Sequence, residues 1–90
     1  MRGGLRVGHE RLDLVERDHV LRAAATIRPK TIHRWSVIVE GREFPVKQLL
    51  MAAANLVESD APRVTPADLI PHSAVRKLRK LGFEVRYAEE

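Results

Sequence analysis

Apolar positions along the chain follow two alternating rhythms. Over residues 9–27, Leu14, Leu21, Ala24 and Ala25 return at near-heptad spacing, and Val20 and Ile27 widen the stripe. That period predicts one amphipathic helix over 9–27. Asp13 precedes Arg17 and Asp18 precedes Arg22 by four residues; such pairs support a solvated helix face by about 0.2–0.5 kcal/mol each. Pro29 ends the helix, because proline disfavours the α conformation at the residue before it, Arg28. The period then drops to two. Trp35, Val37 and Val39 alternate with Arg34, Ser36 and Ile38 in a β-branched run, which predicts a strand over 32–40. Glu40–Gly41 is a tight turn with Gly41 free to take positive φ, and 42–44 is a brief return strand cut off by Pro45.

Proline suits the first position of a helix, where its missing N–H costs nothing. Val46, Leu49, Leu50, Ala53 and Val57 follow it at i, i+3, i+4, i+7 and i+11, the cleanest helical stripe in the chain, and predict a helix over 45–57. Residues 58–64 are polar and read as a loop. Thr65-Pro66-Ala67-Asp68 combines a capping Thr, a Pro at the first position and an acid in the first turn, a helix start over 66–70 that Pro71 interrupts. A further helix over 72–81 buries Ala74, Leu78 and Leu81, and Gly82 stops it in the left-handed conformation so that Phe83 can pack on Leu78. Phe83, Val85 and Tyr87 alternate with Glu84 and Arg86, a last strand over 83–88. The fold class that follows is α+β: a small three-stranded sheet covered on one face by helices, with the 46–57 stripe packed on it.

Length and composition narrow the classes. Ninety residues make one domain, 9–90, preceded by a disordered basic arm, 1–8, that carries Arg2 and Arg6. With 44% apolar and 31% charged residues the chain is neither disordered nor a rod. No run approaches the ~18 apolar residues of a membrane span, and no apolar run follows the basic start, so the expected place is the cytoplasm. Cysteine is absent, which removes disulfides, thiolate nucleophiles and cysteine-bound zinc.

Charge points to partners. Sixteen Lys and Arg against twelve Asp and Glu give +4, a modest bias toward polyanions. Both ends are basic and the middle is mildly acidic: residues 35–70 hold three basic and five acidic groups. Arg76, Lys77, Arg79 and Lys80 form the densest basic cluster, and residues 69–83 contain no acid. On a helix these side chains lie opposite Ala74, Leu78 and Leu81, either as a solvated face or as a face that tracks phosphates. Lys47 lies in the first turn of its helix, at the positive end of the dipole, where a cation adds nothing to helix stability. It either meets an anion such as a phosphate there or pairs with Glu43 four residues earlier, and Arg42 at the turn can join either arrangement. A second basic group, Arg11, Arg17 and Arg22, lies on the first helix.

Other chemistry is not indicated. His9, His19, His33 and His72 have no metal-ligand spacing, so no metal or cofactor is expected. Ser36, Ser59 and Ser73 lack a nucleophile setting, and Glu40 with Glu43 is weak support for acid–base catalysis; the chain does not read as an enzyme. Trp35, the only tryptophan, reads as core or half-core. As a base-stacking platform it would need exposed aromatic neighbours.

The segments Trp35-Ser-Val-Ile-Val-Glu-Gly-Arg-Glu-Phe-Pro-Val-Lys-Gln-Leu-Leu50 and Ser73-Ala-Val-Arg-Lys-Leu-Arg-Lys-Leu-Gly-Phe83, with the strand after the second, resemble a small module. It is found alone in bacterial proteins and at the N-terminus of McrA-type HNH restriction endonucleases. The resemblance covers about residues 34–86 and implies a DNA-associated accessory module linked to restriction or modification. It does not imply nuclease activity, since the paired-histidine-and-asparagine signature is missing. Two functions stay open: nucleic-acid association through Lys47, Arg76, Lys77, Arg79, Lys80 and Arg42, mainly by phosphate contacts, or a protein-interaction module. In the second, the alanine-rich stretch Ala52–Ala54 or the 9–27 helix would pack on a partner protein or a second copy.

Overall fold

The computed structural model describes residues 9–32 and 34–87; the basic arm 1–8 lies outside the described residues. The order is α1 (His9–Leu14), α2 (Arg17–Thr26), β1 (Trp35–Val39), β2 (Arg42–Pro45), α3 (Val46–Ala54), a single 3-10 turn (Pro66–Asp68), α4 (Pro71–Lys80) and β3 (Glu84–Tyr87). The three strands form one antiparallel sheet in the order β2-β1-β3, an α+β fold as the periodicity predicts. The hairpin turn has positive φ at both central residues, 51° at Glu40 and 78° at Gly41. This backbone matches the twist of the flanking strands.

Strand alternation gives the sheet two different faces. Phe44, Val37 and Val85 form a cross-strand row on the face that receives the helices. Val37, Val39 and Phe44 are buried there with Leu49, Leu50 and Ala53 of α3 and with Ala74 and Leu78 of α4. On the other face Ser36 Oγ donates to Glu43 Oε2 at 2.5 Å, and Arg86 Nε meets Glu84 Oε2 at 2.9 Å. The Glu84 carboxylate, followed by Glu43, raises the Arg86 guanidinium above its ordinary value, so it stays charged.

The expected 9–27 helix is two helices. Val15 is buried and Leu14 is 46% exposed, and Glu16 adopts φ −119°, ψ 171°. The cause is a change of buried face. Arg11 and Val15 lie on one stripe of α1, whereas α2 buries Val20, Ala23 and Ala24. At 3.6 residues per turn those stripes differ by about two-fifths of a turn, so a straight helix would bury only one of them. The extended Glu16 supplies the rotation, and its N–H donates to His19 Nδ1 at 2.8 Å, which satisfies one of the first free N–H groups of α2. Leu14 and Ala25, assigned to the buried stripe, are exposed. The Asp13–Arg17 spacing spans the break and forms no ion pair, while Arg22 meets Asp18 at 3.3 Å.

Of the other expected helices, 45–57 ends at Ala54, 66–70 is a single 3-10 turn, and the 72–81 helix buries Val75 with Ala74 and Leu78 while Leu81 is half-buried. Val46, Leu49, Leu50 and Ala53 all face the core, and Val57 is buried beyond the end of α3. Asn55 closes the polar loop: its side chain donates to the Val64 carbonyl at 3.1 Å and accepts from the Val64 N–H at 2.8 Å. At the end of α4, Gly82 has φ 95°. Its N–H donates to the Arg79 carbonyl at 2.9 Å, and the Phe83 N–H donates to the Leu78 carbonyl at 3.1 Å. These are the two bonds of a Schellman cap.

Candidate nucleic-acid interface

The cations of α4 occupy different surroundings. Ala74, Val75 and Leu78 point inward, so the helical period turns Arg76, Arg79 and Lys80 to solvent, with Lys77 half-buried. Arg76, Lys77 and Lys80 line a cleft of about 410 Å³ toward α1 and the 3-10 turn. Asp13 and Asp68 share that cleft. Asp68 accepts from the Thr65 N–H at 2.9 Å, and Lys77 Nζ donates to the Asp13 carbonyl at 3.4 Å. Among the described residues, the ion pairs Arg22–Asp18 and Arg86–Glu84 involve none of the α4 cations.

Arg79 lies on the other side of α4, with its guanidinium 5.9 Å from the centre of the Trp35 ring. Trp35, half-buried at the start of β1, forms one wall of a second cleft of about 370 Å³ that also contains Lys47, Arg34, Val46 and His72. Lys47 lines the cleft walled by Trp35 and Arg79 lies over the Trp35 ring, whereas Arg76, Lys77 and Lys80 belong to the first cleft. No ion pair joins Lys47 to Glu43 among the described residues; Glu43 accepts from Ser36 instead. Arg42 belongs to neither cleft. It donates to the Ala24 carbonyl at 3.3 Å, in the last turn of α2, and lies 5.1 Å from the centre of the Phe44 ring.

The sequence reading overlooked two ring contacts of Trp35. Tyr87 is the cross-strand partner of Trp35; their rings lie 4.6 Å apart at 56°, and Tyr87 is 49% exposed. His72 meets the same indole edge-on at 6.4 Å. A period-two pattern announces each strand but not which residues of two distant strands stand side by side, so the pairing carried no sequence signal. Gln48 ties α3 to the segment after α2: it accepts from the Lys30 N–H and donates to the Arg28 carbonyl, both at 2.8 Å.

The second basic group of the sequence is spent on structure. Arg11 is buried and donates to the carbonyls of Ala61, Pro62, Val57 and Ser59 at 2.7–3.0 Å. Arg17 donates to the Leu81 carbonyl at 2.9 Å and stacks 4.4 Å from the centre of the Phe83 ring. Arg17 and Arg22 both remain exposed, whereas Arg11 is buried.

Among the described residues, which exclude His33, no group of three or more His, Asp or Glu side chains is placed to hold a metal ion. No helix among them is long and apolar enough to cross a membrane. No family model, curated protein or solved structure matches the chain.

Proposed function

We propose that this chain is a non-enzymatic nucleic-acid-associated module that holds its ligand mainly through phosphate contacts. The observation that carries the reading is the exposed side of α4. Arg76, Arg79 and Lys80 project from an acid-free segment and take part in no ion pair among the described residues. A solvated face normally mixes signs, because opposite charges at i,i+4 stabilise the helix; a face of one sign favours an anionic partner. Lys47 in the Trp35 cleft and Arg79 over the Trp35 ring add to the basic surface. The McrA-type resemblance, which includes Ser73–Phe83, supports a role beside DNA restriction or modification in a bacterial cell.

The protein-interaction alternative named the alanines of α3 or the 9–27 segment as its docking face. Ala53 and Ala54 are fully buried, so that reading falls to the 9–27 segment, where Leu14 is exposed.

The test is fluorescence anisotropy with unrelated duplexes and single strands over a range of salt. Affinity should fall with a logarithmic slope of about −0.9 per phosphate neutralised on duplex DNA. Lys80→Ala should weaken binding nearly equally for all sequences and reduce the slope by about one. Absence of binding to any of them at low salt overturns the reading and returns the protein-interaction module.

A further inference from the structure

We propose that the Trp35 cleft is a single-strand subsite, in which an unpaired base stacks on the Trp35–Tyr87 pair while Lys47, Arg34 and Arg79 hold the flanking phosphates. This rests on the nucleic-acid reading and adds the class of ligand.

Three observations converge. The first is the aromatic pair itself. The rings lie 4.6 Å apart and are not closed over as a core pair would be: Trp35 is half-buried and Tyr87 is 49% exposed. The second is charge. The residues lining the cleft come from three stretches, 19–39, 44–57 and 69–83, none of which contains an acidic residue; Tyr87 stands beside it on β3, whose Glu84 is paired with Arg86. Unlike the cleft beside α1, it has no carboxylate in its wall. The third is size and lining. At about 370 Å³, with Trp35 and Val46 as apolar wall and Arg34, Lys47 and His72 as polar groups, it falls within the range of small-ligand sites.

These features select a single strand. In a duplex the base faces are already stacked on one another and cannot reach an aromatic wall. An unpaired strand offers every base as a π-face and its phosphates on either side, the combination that aromatic platforms with basic borders bind without sequence preference. The Arg79 guanidinium above Trp35 is already positioned beside the stacking site. Its planar fork suits a phosphate next to the stacked base.

Trp35 is the only tryptophan, so intrinsic fluorescence reports on this cleft alone. A short oligodeoxythymidylate should quench it on binding, and a duplex should not. Tyr87→Ala should lower oligodeoxythymidylate affinity roughly 10- to 100-fold, the range for losing one base–aromatic stack, with duplex affinity unchanged. Tyr87→Phe, which keeps the π-face, should bind as the parent does. Lys80→Ala should weaken both ligands and leave the quenching at saturation intact. Equal binding of strand and duplex without quenching, or no effect of Tyr87→Ala, overturns the subsite while leaving phosphate binding in place. Binding of thymidine monophosphate as tightly as the oligomer overturns the strand assignment. No binding of any nucleic acid overturns both readings.

Discussion

Arg11→Ala is the sharpest test of how this fold is held together. Arg11 is 9% exposed and has no carboxylate partner among the described residues. Its charge is met by backbone carbonyls: Nη1 to Val57 at 2.7 Å, Nη2 to Ser59 at 3.0 Å, and Nε to Ala61 at 2.9 Å and Pro62 at 3.0 Å. The guanidinium thus stands beyond the C-terminal end of α3, where a cation complements the helix dipole, and it ties the following loop to α1. Truncation strands the buried Val57 carbonyl, at a cost of about 1–3 kcal/mol for an unsatisfied acceptor. The other three carbonyls can take up water, so each loses only about 0.5 kcal/mol. The sum is about 2.5–4.5 kcal/mol, against roughly 5–13 kcal/mol for a domain of this size at ~0.05–0.15 kcal/mol per residue. With a urea slope of about 1 kcal/mol/M, the unfolding midpoint should drop by about 3 M. Arg11→Met retains most of the apolar stem and should lose nearly as much, because the head carries the effect; Arg11→Lys should fall between, having one ammonium for the five carbonyls within 3.5 Å. A midpoint shift below about 0.5 M for Arg11→Ala would refute the carbonyl cage as a stabilising element.

Leu50→Ala removes a side chain that is 2% exposed between α3 and the sheet; it should cost about 2–5 kcal/mol, read as a lower midpoint in chemical denaturation. Gly82→Ala should cost about 1 kcal/mol or more, since an L residue is strained at φ 95° and its Cβ would meet Arg17 Nη1 at 2.9 Å. The cost should shrink in an Arg17→Ala background, where only the backbone strain remains, as a double-mutant cycle would measure. Glu40→Asn should stabilise by about 0.5–1 kcal/mol, because Glu40 occupies φ 51° in the hairpin turn and Asn tolerates that region better; an unchanged melting curve would count against strain at Glu40.

What the sequence determined by itself was local. The stripe of α3, the Pro–Gly punctuation around α4, the Schellman cap at Gly82 and the Glu40–Gly41 hairpin each depend on residues within a few positions of one another, and periodicity reads them directly. The dense basic side of α4 was legible for the same reason. The structure decided whatever required two distant segments to meet. The helix break at Glu16 was invisible because every residue from 9 to 27 is compatible with helix; only packing forces α1 and α2 to bury different faces. Arg11 and Arg17 looked like surface charge until carbonyls about fifty and sixty residues away came to them. The cation set divided into two clefts because α4 presents its sides to different neighbours, and Arg42 left the set for the end of α2. The aromatic cleft itself depends on the register of β1 against β3, which places Tyr87 beside Trp35. Period-two alternation assigns a residue to a face of its strand; its neighbour across the sheet is chosen only when the helices between those strands have packed.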